Sequence, residues 1–415
     1  MKKAISLILF ITLTIITSFA QVNLGVDVLE KNGFAQLKGK RIGLITNPTG
    51  VNKNLRSTID ILSSNEAKEA GVKLTALFAP EHGVRGDIEA GLKVENVIDK
   101  KSGAMIYSLY GNGFKPKPDM LTNVDALVFD IQDIGSRSYT FISTLGLAME
   151  AAAENNKEFI VLDRPNPLGG NKIEGGSVQK GFTSFVSKYP VPYIHGLTIG
   201  ELAKVYNGER MLKNGVQCDL TVVAMEGWNR DMKWDDCGLE WVATSPHIPQ
   251  AKTAIHYPIT GMVGELSILN IGVGYTLPFE TFAAAWITDA ERLANKLNGY
   301  NVEGVIFRPI HYRPFYGSAK GKTIHGVQIH VTNLDTVPLT LLMFYVLEAL
   351  HELYPNQPLI GAATESRLNM FDKVMGSKLM REKFVQGGYK TAAVKDIWEG
   401  APAWFNGIRY KHMIY

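Results

Sequence analysis

Four apolar, strand-like runs each stop at a short polar or charged segment, and this constrains the fold more than any other feature. Arg41-Ile42-Gly43-Leu44-Ile45-Thr46 leads to Asn47-Pro48-Thr49-Gly50, and Leu74 to Ala79 leads to Pro80-Glu81-His82-Gly83. Ala126-Leu127-Val128-Phe129 leads to Asp130-Ile131-Gln132-Asp133, and Phe159-Ile160-Val161-Leu162 to Asp163-Arg164-Pro165-Asn166-Pro167. Near-continuous apolar runs are the mark of strands covered on both faces, the situation of a parallel sheet. Parallel strands need crossovers, and helical spacing of apolar residues fills the gaps at Leu55 to Leu62 and Phe141 to Ala153. The expectation is an α/β fold with a Rossmann-like, mostly parallel sheet in the first half. In such a sheet ligands bind outside the carboxyl ends of the strands, so the four polar segments would converge on one cleft.

The first twenty residues read as an address. Lys2 and Lys3 precede an apolar run from Ala4 to Ile16, and Ser18-Phe19-Ala20 offers small residues where a signal peptidase cuts. No cysteine follows to accept a lipid, and the run is short for a membrane span. The expected product is a periplasmic or secreted chain beginning at Gln21 that does not span a membrane. About 395 residues then remain, suited to two domains.

Charges nearly balance, at a formal +3, so the strong basic excess of a nucleic-acid binder is lacking. From about Val216 onward short β-rich runs (Asp219 to Met225, Val302 to Pro309, Gly326 to Thr332) mix with helical patterns at Phe279 to Leu297 and Pro338 to Leu353. That mixture suggests a smaller α+β domain, and Ser245-Pro246-His247-Ile248-Pro249 reads as a linker. The domain reading is therefore 21–247 for the Rossmann-like unit and 248–415 for the α+β unit, with the ligand cleft between them. Cys218 and Cys237 either pair or remain thiols.

Pro80-Glu81-His82-Gly83-Val84-Arg85-Gly86, Phe129 to Arg137, Asp163 to Gly170 and Pro278-Phe279-Glu280, in that order, resemble the motifs of the exo-β-N-acetylmuramidase family. The resemblance spans essentially the whole chain after residue 20. It implies a Rossmann-like domain joined to a smaller C-terminal one, and removal of N-acetylmuramic acid (MurNAc) from the non-reducing ends of peptidoglycan fragments such as MurNAc–GlcNAc, without a cofactor or metal. One departure stands out: Val273 occupies the place of an arginine in the family's loop before Pro-Phe-Glu.

Glycoside hydrolysis normally uses one carboxylic acid to protonate the leaving oxygen and a second carboxylate as nucleophile or base. Glu81, following a buried strand, is the expected acid. Asp130 is the expected partner, with Glu265 the competing choice. Arg137 and Arg164 are candidates to grip the lactyl carboxylate of MurNAc in a two-pronged hydrogen bond. Asn47, Asn166 and His195 are expected to bind sugar hydroxyls or the acetamido group, His82, Arg85 and Asp133 to line the same site, and Tyr139 or Tyr193 to stack on the pyranose. Asp133 is alternatively a cap for a helix beginning near Ser138.

Three other readings compete. A metal-dependent hydrolase would draw on His82, His195 and nearby aspartates, but no His-x-x-x-His or His-Glu-x-x-His spacing occurs. A dinucleotide enzyme lacks its Gly-x-Gly-x-x-Gly. A non-catalytic sugar-binding protein would share the two-lobed cleft.

Overall fold

The computed structural model describes residues 21–80, 83–85, 97–109, 113–317, 319–400 and 402–415. Seven strands form the first sheet: β1 (Arg41–Thr46), β2 (Lys73–Ala79), β3 (Val97–Ile98), β4 (Met105–Ser108), β5 (Ala126–Asp130), β6 (Glu158–Leu162) and β7 (Asp219–Val223). Their order is β3-β4-β2-β1-β5-β6-β7, and every neighbouring pair is parallel except β3 with β4. The four apolar runs read from the sequence are thus four adjacent central strands. Chain order leaves β1 in both directions, toward β2 on one side and β5 on the other, so the topological switch point lies between β1 and β5.

Alternate side chains of these strands enter two different cores. Ile45, Phe78, Leu127, Phe129, Phe159 and Val161 pack with the helices Phe141–Glu154 and Ile199–Gly208. Ile42, Leu44, Leu77, Val128, Ile160 and Leu162 pack on the other face with Gly25–Lys31 and Thr58–Leu62. Covering on both faces explains why these strands carry apolar residues without alternation.

The second sheet is antiparallel, ordered β8-β10-β9 from β8 (Thr281–Ala284), β9 (Val305–Tyr312) and β10 (Ile324–Val331). Its core joins the helices Ala251–Gly264, Ala290–Asn298, Leu342–Leu353 and Glu365–Met375. Ile134, Leu168, Tyr193 and Ile194, from loops of the first sheet, are buried in that same core. The final helix, Ala403–His412, returns to pack on Ile199–Gly208, and the terminal Tyr415 hydroxyl donates to Asp163 at 2.8 Å and accepts from the Met225 amide at 2.7 Å. The last residues therefore lie with the first sheet, although they follow the second in the chain.

Three elements differ from the sequence reading. The Asp219 run, grouped above with the short β-rich runs of the second half, is β7, an edge strand of the first sheet. The segment from Phe279 to Leu297 divides into β8 and a helix, because Phe279 sits in the left-handed region at φ 66° and the residues from Thr281 pair antiparallel with β10. Leu55 is likewise left-handed, at φ 62°, so the helix begins only at Thr58, capped by Ser57.

Candidate active site

The loops leaving β1, β5 and β6 interlock at the carboxyl edge. Asn47 Oδ1 accepts from the amide of Thr49 at 2.9 Å and from its hydroxyl at 2.5 Å, and Thr49 Oγ1 in turn accepts from the Gln132 amide at 2.9 Å. Gln132 Nε2 donates to the carbonyls of Asp133 and Pro165, tying the β5 loop to the β6 loop. Asn166 Oδ1 accepts from Leu168 N and its Nδ2 donates to Leu197 O. Gly135, at φ 79°, lies so close that an added Cβ would stand 2.4 Å from Asn166 Oδ1, which is why glycine is needed there.

His195 joins this network with a defined tautomer. Its Nδ1 accepts from the Leu197 amide at 3.2 Å, which leaves the proton of the neutral ring on Nε2, 3.6 Å from Asp133 Oδ2. Asp133 Oδ2 accepts from the Gly135 amide, a tight turn within its own loop; the helix that follows starts at Phe141 and Asp133 does not cap it. Asn47 Nδ2, Gln132 Oε1, Asp133 Oδ1, Ser136 Oγ and His195 Nε2 are buried and have no hydrogen-bond partner among the described residues. Buried polar atoms are seldom left so, and five at one sheet edge mark hydrogen-bonding capacity held for water or ligand. Among the described residues no group of three His, Cys, Asp or Glu side chains is arranged to hold a metal ion. Glu81 and His82 lie outside the described residues.

The charged candidates have other work. Asp130 is fully buried, its Oδ1 2.5 Å from Arg164 Nε and its Oδ2 2.9 Å from Arg164 Nη2, and Thr58 donates to the same Oδ2. Arg164 Nη2 also donates to Val51 O. This closed pair fastens β5 to the loops after β1 and β6, and neither member faces the cleft described below. Arg137 is buried too: Nε donates to Ser187 Oγ, Nη1 to the carbonyls of Gly176 and Val191, and Nη2 to those of Val374 and Met375. All five of its N–H donors are spent on the protein. Arg85 forms a two-pronged bond to Asp99, which holds that carboxyl well below the usual carboxylate range.

A cleft of about 340 Å³ opens where the two sheets' loops meet. Ser138 and Tyr139 come from the β5 loop, Ser245 and His247 from the connecting segment, and Tyr257 and Glu265 from the helix Ala251–Gly264 and its end. Tyr257, Glu265 and Phe279 also line an adjoining depression of about 360 Å³ that includes Val273 and Arg367. Together these have the size and mixed polar and aromatic lining suited to a sugar. The smaller cavity beside Thr49, Gln132 and Arg164, about 20 Å³, has room for a water and no more.

The aromatic wall is ordered edge to face. Tyr139 meets Phe141 and Tyr257 with ring centres 5.1 and 5.7 Å apart, and Tyr257 meets Phe279 at 5.0 Å. Tyr193, in contrast, is fully buried and its hydroxyl bonds Ser138 Oγ, so it supports the wall from behind. Glu265 is the carboxylate of this cleft. Burial raises its pKa above the ordinary 4.5, against a lowering pull from Arg367, and its place at a helix C-terminus also disfavours the charged form. A half-buried carboxyl whose pKa is raised, set beside an aromatic wall, is suited to donating a proton. Tyr257 and Arg367 were not singled out from the sequence; both sit on helix surfaces with no local motif to mark them.

Comparison with known proteins agrees with this architecture. The family model for the N-terminal domain of exo-β-N-acetylmuramidase NamZ matches residues 42–252, and that for its C-terminal domain matches residues 255–415. The chain is 44% identical over 395 residues to the peptidoglycan β-N-acetylmuramidase NamZ of Bacillus subtilis (strain 168), covering 95% of this chain and 92% of that protein. A crystal structure of a DUF1343 family protein from Bacteroides fragilis superposes with a TM-score of 0.89 at 49% identity, covering 95% of this chain and 99% of the other. A second DUF1343 protein of the same organism gives 0.75 at 26% identity over the same shares. With both domain models matched in order along nearly its whole length, the chain belongs to the exo-β-N-acetylmuramidase NamZ family.

Proposed function

We propose that this glycoside hydrolase, an exo-β-N-acetylmuramidase by its family, removes MurNAc from the non-reducing end of peptidoglycan-derived saccharides, of which MurNAc–GlcNAc is the smallest, in the cleft bounded by Tyr139, Tyr257 and Glu265. The observation that carries the site assignment is Glu265: a half-buried carboxyl of raised pKa in a sugar-sized, aromatic-walled cleft between the two sheets. In this reading Glu265 protonates the glycosidic oxygen, and Glu81, from the segment after β2, supplies the second carboxylate. Asp130 is not part of the pair, because both its oxygens are engaged by Arg164 and Thr58. Asn47, Asp133, Asn166 and His195 shape the carboxyl edge of the first sheet. The reading is tested by incubating the purified chain from Gln21 onward with MurNAc–GlcNAc and following free MurNAc by mass spectrometry. A protein that binds the disaccharide but leaves it intact would be a sugar-binding protein.

The chain works, in the same reading, outside the cytoplasm after removal of residues 1–20. Support comes from the Lys2-Lys3 start, the apolar run and Ser18-Phe19-Ala20. No helix among the described residues is long and apolar enough to cross a membrane. Mass spectrometry of the exported protein would show Gln21 at its N-terminus; an intact Met1 would overturn the cleavage.

A further inference from the structure

MurNAc differs from GlcNAc by one lactyl group, whose carboxylate is ionised at neutral pH. An enzyme that selects MurNAc gains most from a cation placed at that group, and arginine suits it because two parallel N–H groups match a carboxylate. Three arginines offered by the sequence are occupied: Arg164 by Asp130, Arg137 by five protein acceptors, Arg85 by Asp99. Lys252 is held by Glu280 at 2.7 Å and lines a different cavity.

Among the described residues lining the two adjoining depressions, Arg367 is the one lysine or arginine. It rises from the helix Glu365–Met375, with its side chain about half exposed, and its nearest carboxylate oxygen, Glu265 Oε2, is 4.0 Å away. That distance is an ion pair without a hydrogen bond, and among the described residues no side-chain hydrogen bond engages the guanidinium. Its N–H donors are therefore open toward the depression that also holds Val273 and Phe279.

We infer that Arg367 is the specificity residue of the cleft, gripping the lactyl carboxylate of MurNAc beside Glu265. The inference rests on the muramidase reading above. It also fits the acid role of Glu265: once Arg367 turns to the substrate, Glu265 loses the pull that favours its charged form. Binding and proton donation are then coupled through one guanidinium.

The experiment compares product binding and turnover in the wild type, Arg367→Ala, Arg367→Gln and Arg367→Lys. Calorimetry with free MurNAc and free GlcNAc should show a wild-type preference for MurNAc that Arg367→Ala and Arg367→Gln reduce about tenfold or more, chiefly by weakening MurNAc. Arg367→Lys should keep part of it, since a point charge remains without the fork. On aryl MurNAc the alanine variant should lose kcat/KM mostly through KM, with aryl GlcNAc little changed. Because the side chain is half exposed on a helix, the variants should melt with the wild type. A wild type that binds MurNAc no better than GlcNAc would sink the muramidase reading itself. A wild type that prefers MurNAc, with variants that keep the preference or lose both sugars equally, would overturn only the assignment of Arg367.

Discussion

Arg164 closes on Asp130 through two hydrogen bonds of 2.5 and 2.9 Å, with both side chains buried. The pair carries the shape of the sheet edge, since it ties β5 to the loops after β1 and β6 while Arg164 also holds Val51 O. Asp130→Asn would leave a buried guanidinium without its counter-charge, and the expected loss is about 3–5 kcal/mol, read from urea unfolding. Turnover per folded molecule should fall far less than stability does. A variant of native stability and no activity would return Asp130 to the chemistry.

Arg137 makes a similar case at a different joint. Its five donors link Ser187, Gly176 and Val191 to Val374 and Met375, so the β5 loop and the helix bearing Arg367 are fixed to each other through one side chain. Arg137→Ala should cost at least about 3 kcal/mol, because several buried carbonyls lose their donor at once. Its kinetic signature should be equal loss on aryl MurNAc and aryl GlcNAc, in contrast to Arg367. A selective loss on MurNAc alone would mean that Arg137 reaches the substrate.

These two arginines show where the sequence was silent. The strands were legible because double burial writes a continuous apolar run, and the polar ends of β1, β5 and β6 did converge, with Asn47, Asp133, Asn166 and His195 in one network. What a charged side chain does there depends on partners far along the chain. Arg164 finds Asp130 across 34 residues, and Arg137 finds carbonyls more than 230 residues away, which leave no side-chain signature at all. Phe279 shows the opposite failure: its apolar, helix-like neighbourhood hides a left-handed turn that only the second sheet imposes.

Gly274 should be intolerant of a side chain. At φ 91° its added Cβ would stand 2.3 Å from Tyr316 O, at the contact between the loop bearing Val273 and the β9–β10 turn, whose Tyr316 hydroxyl bonds His247 at 2.9 Å. Gly274→Ala is expected to cost about 1–3 kcal/mol and to raise KM by displacing the cleft rim. Thermal melts and saturation kinetics on MurNAc–GlcNAc together check it, and an unchanged KM would detach this loop from the site.

Cys218 and Cys237 are both buried free thiols, pushed up to about 12 by desolvation. Neither is reactive at neutral pH. Thiol titration should therefore find no group in the folded protein and two after unfolding, and added reductant should leave Tm unchanged. A Tm that fell on reduction would show a disulfide.

Glu265 ties stability to catalysis with a definite sign. Its folded pKa is raised, so the protonated form is favoured by folding; the stability it lends is complete below about pH 4.5 and is lost as pH climbs through the higher folded value. Glu265→Gln removes that loss, so the variant should gain on the wild type as pH rises above 4.5 and should match it below. Activity should move the other way. If Glu265 donates the proton, Glu265→Gln should lose about 10²–10⁴ in rate on MurNAc–GlcNAc and much less on an aryl MurNAc whose leaving group departs without protonation. The alkaline limb of the wild-type pH–rate profile should vanish with it. Glu81→Gln, lacking the second carboxylate, should be slow on both substrates, since an activated leaving group does not replace a nucleophile or base. The reverse pattern, with the aryl substrate rescuing Glu81→Gln and not Glu265→Gln, would exchange the two roles and leave the cleft assignment standing.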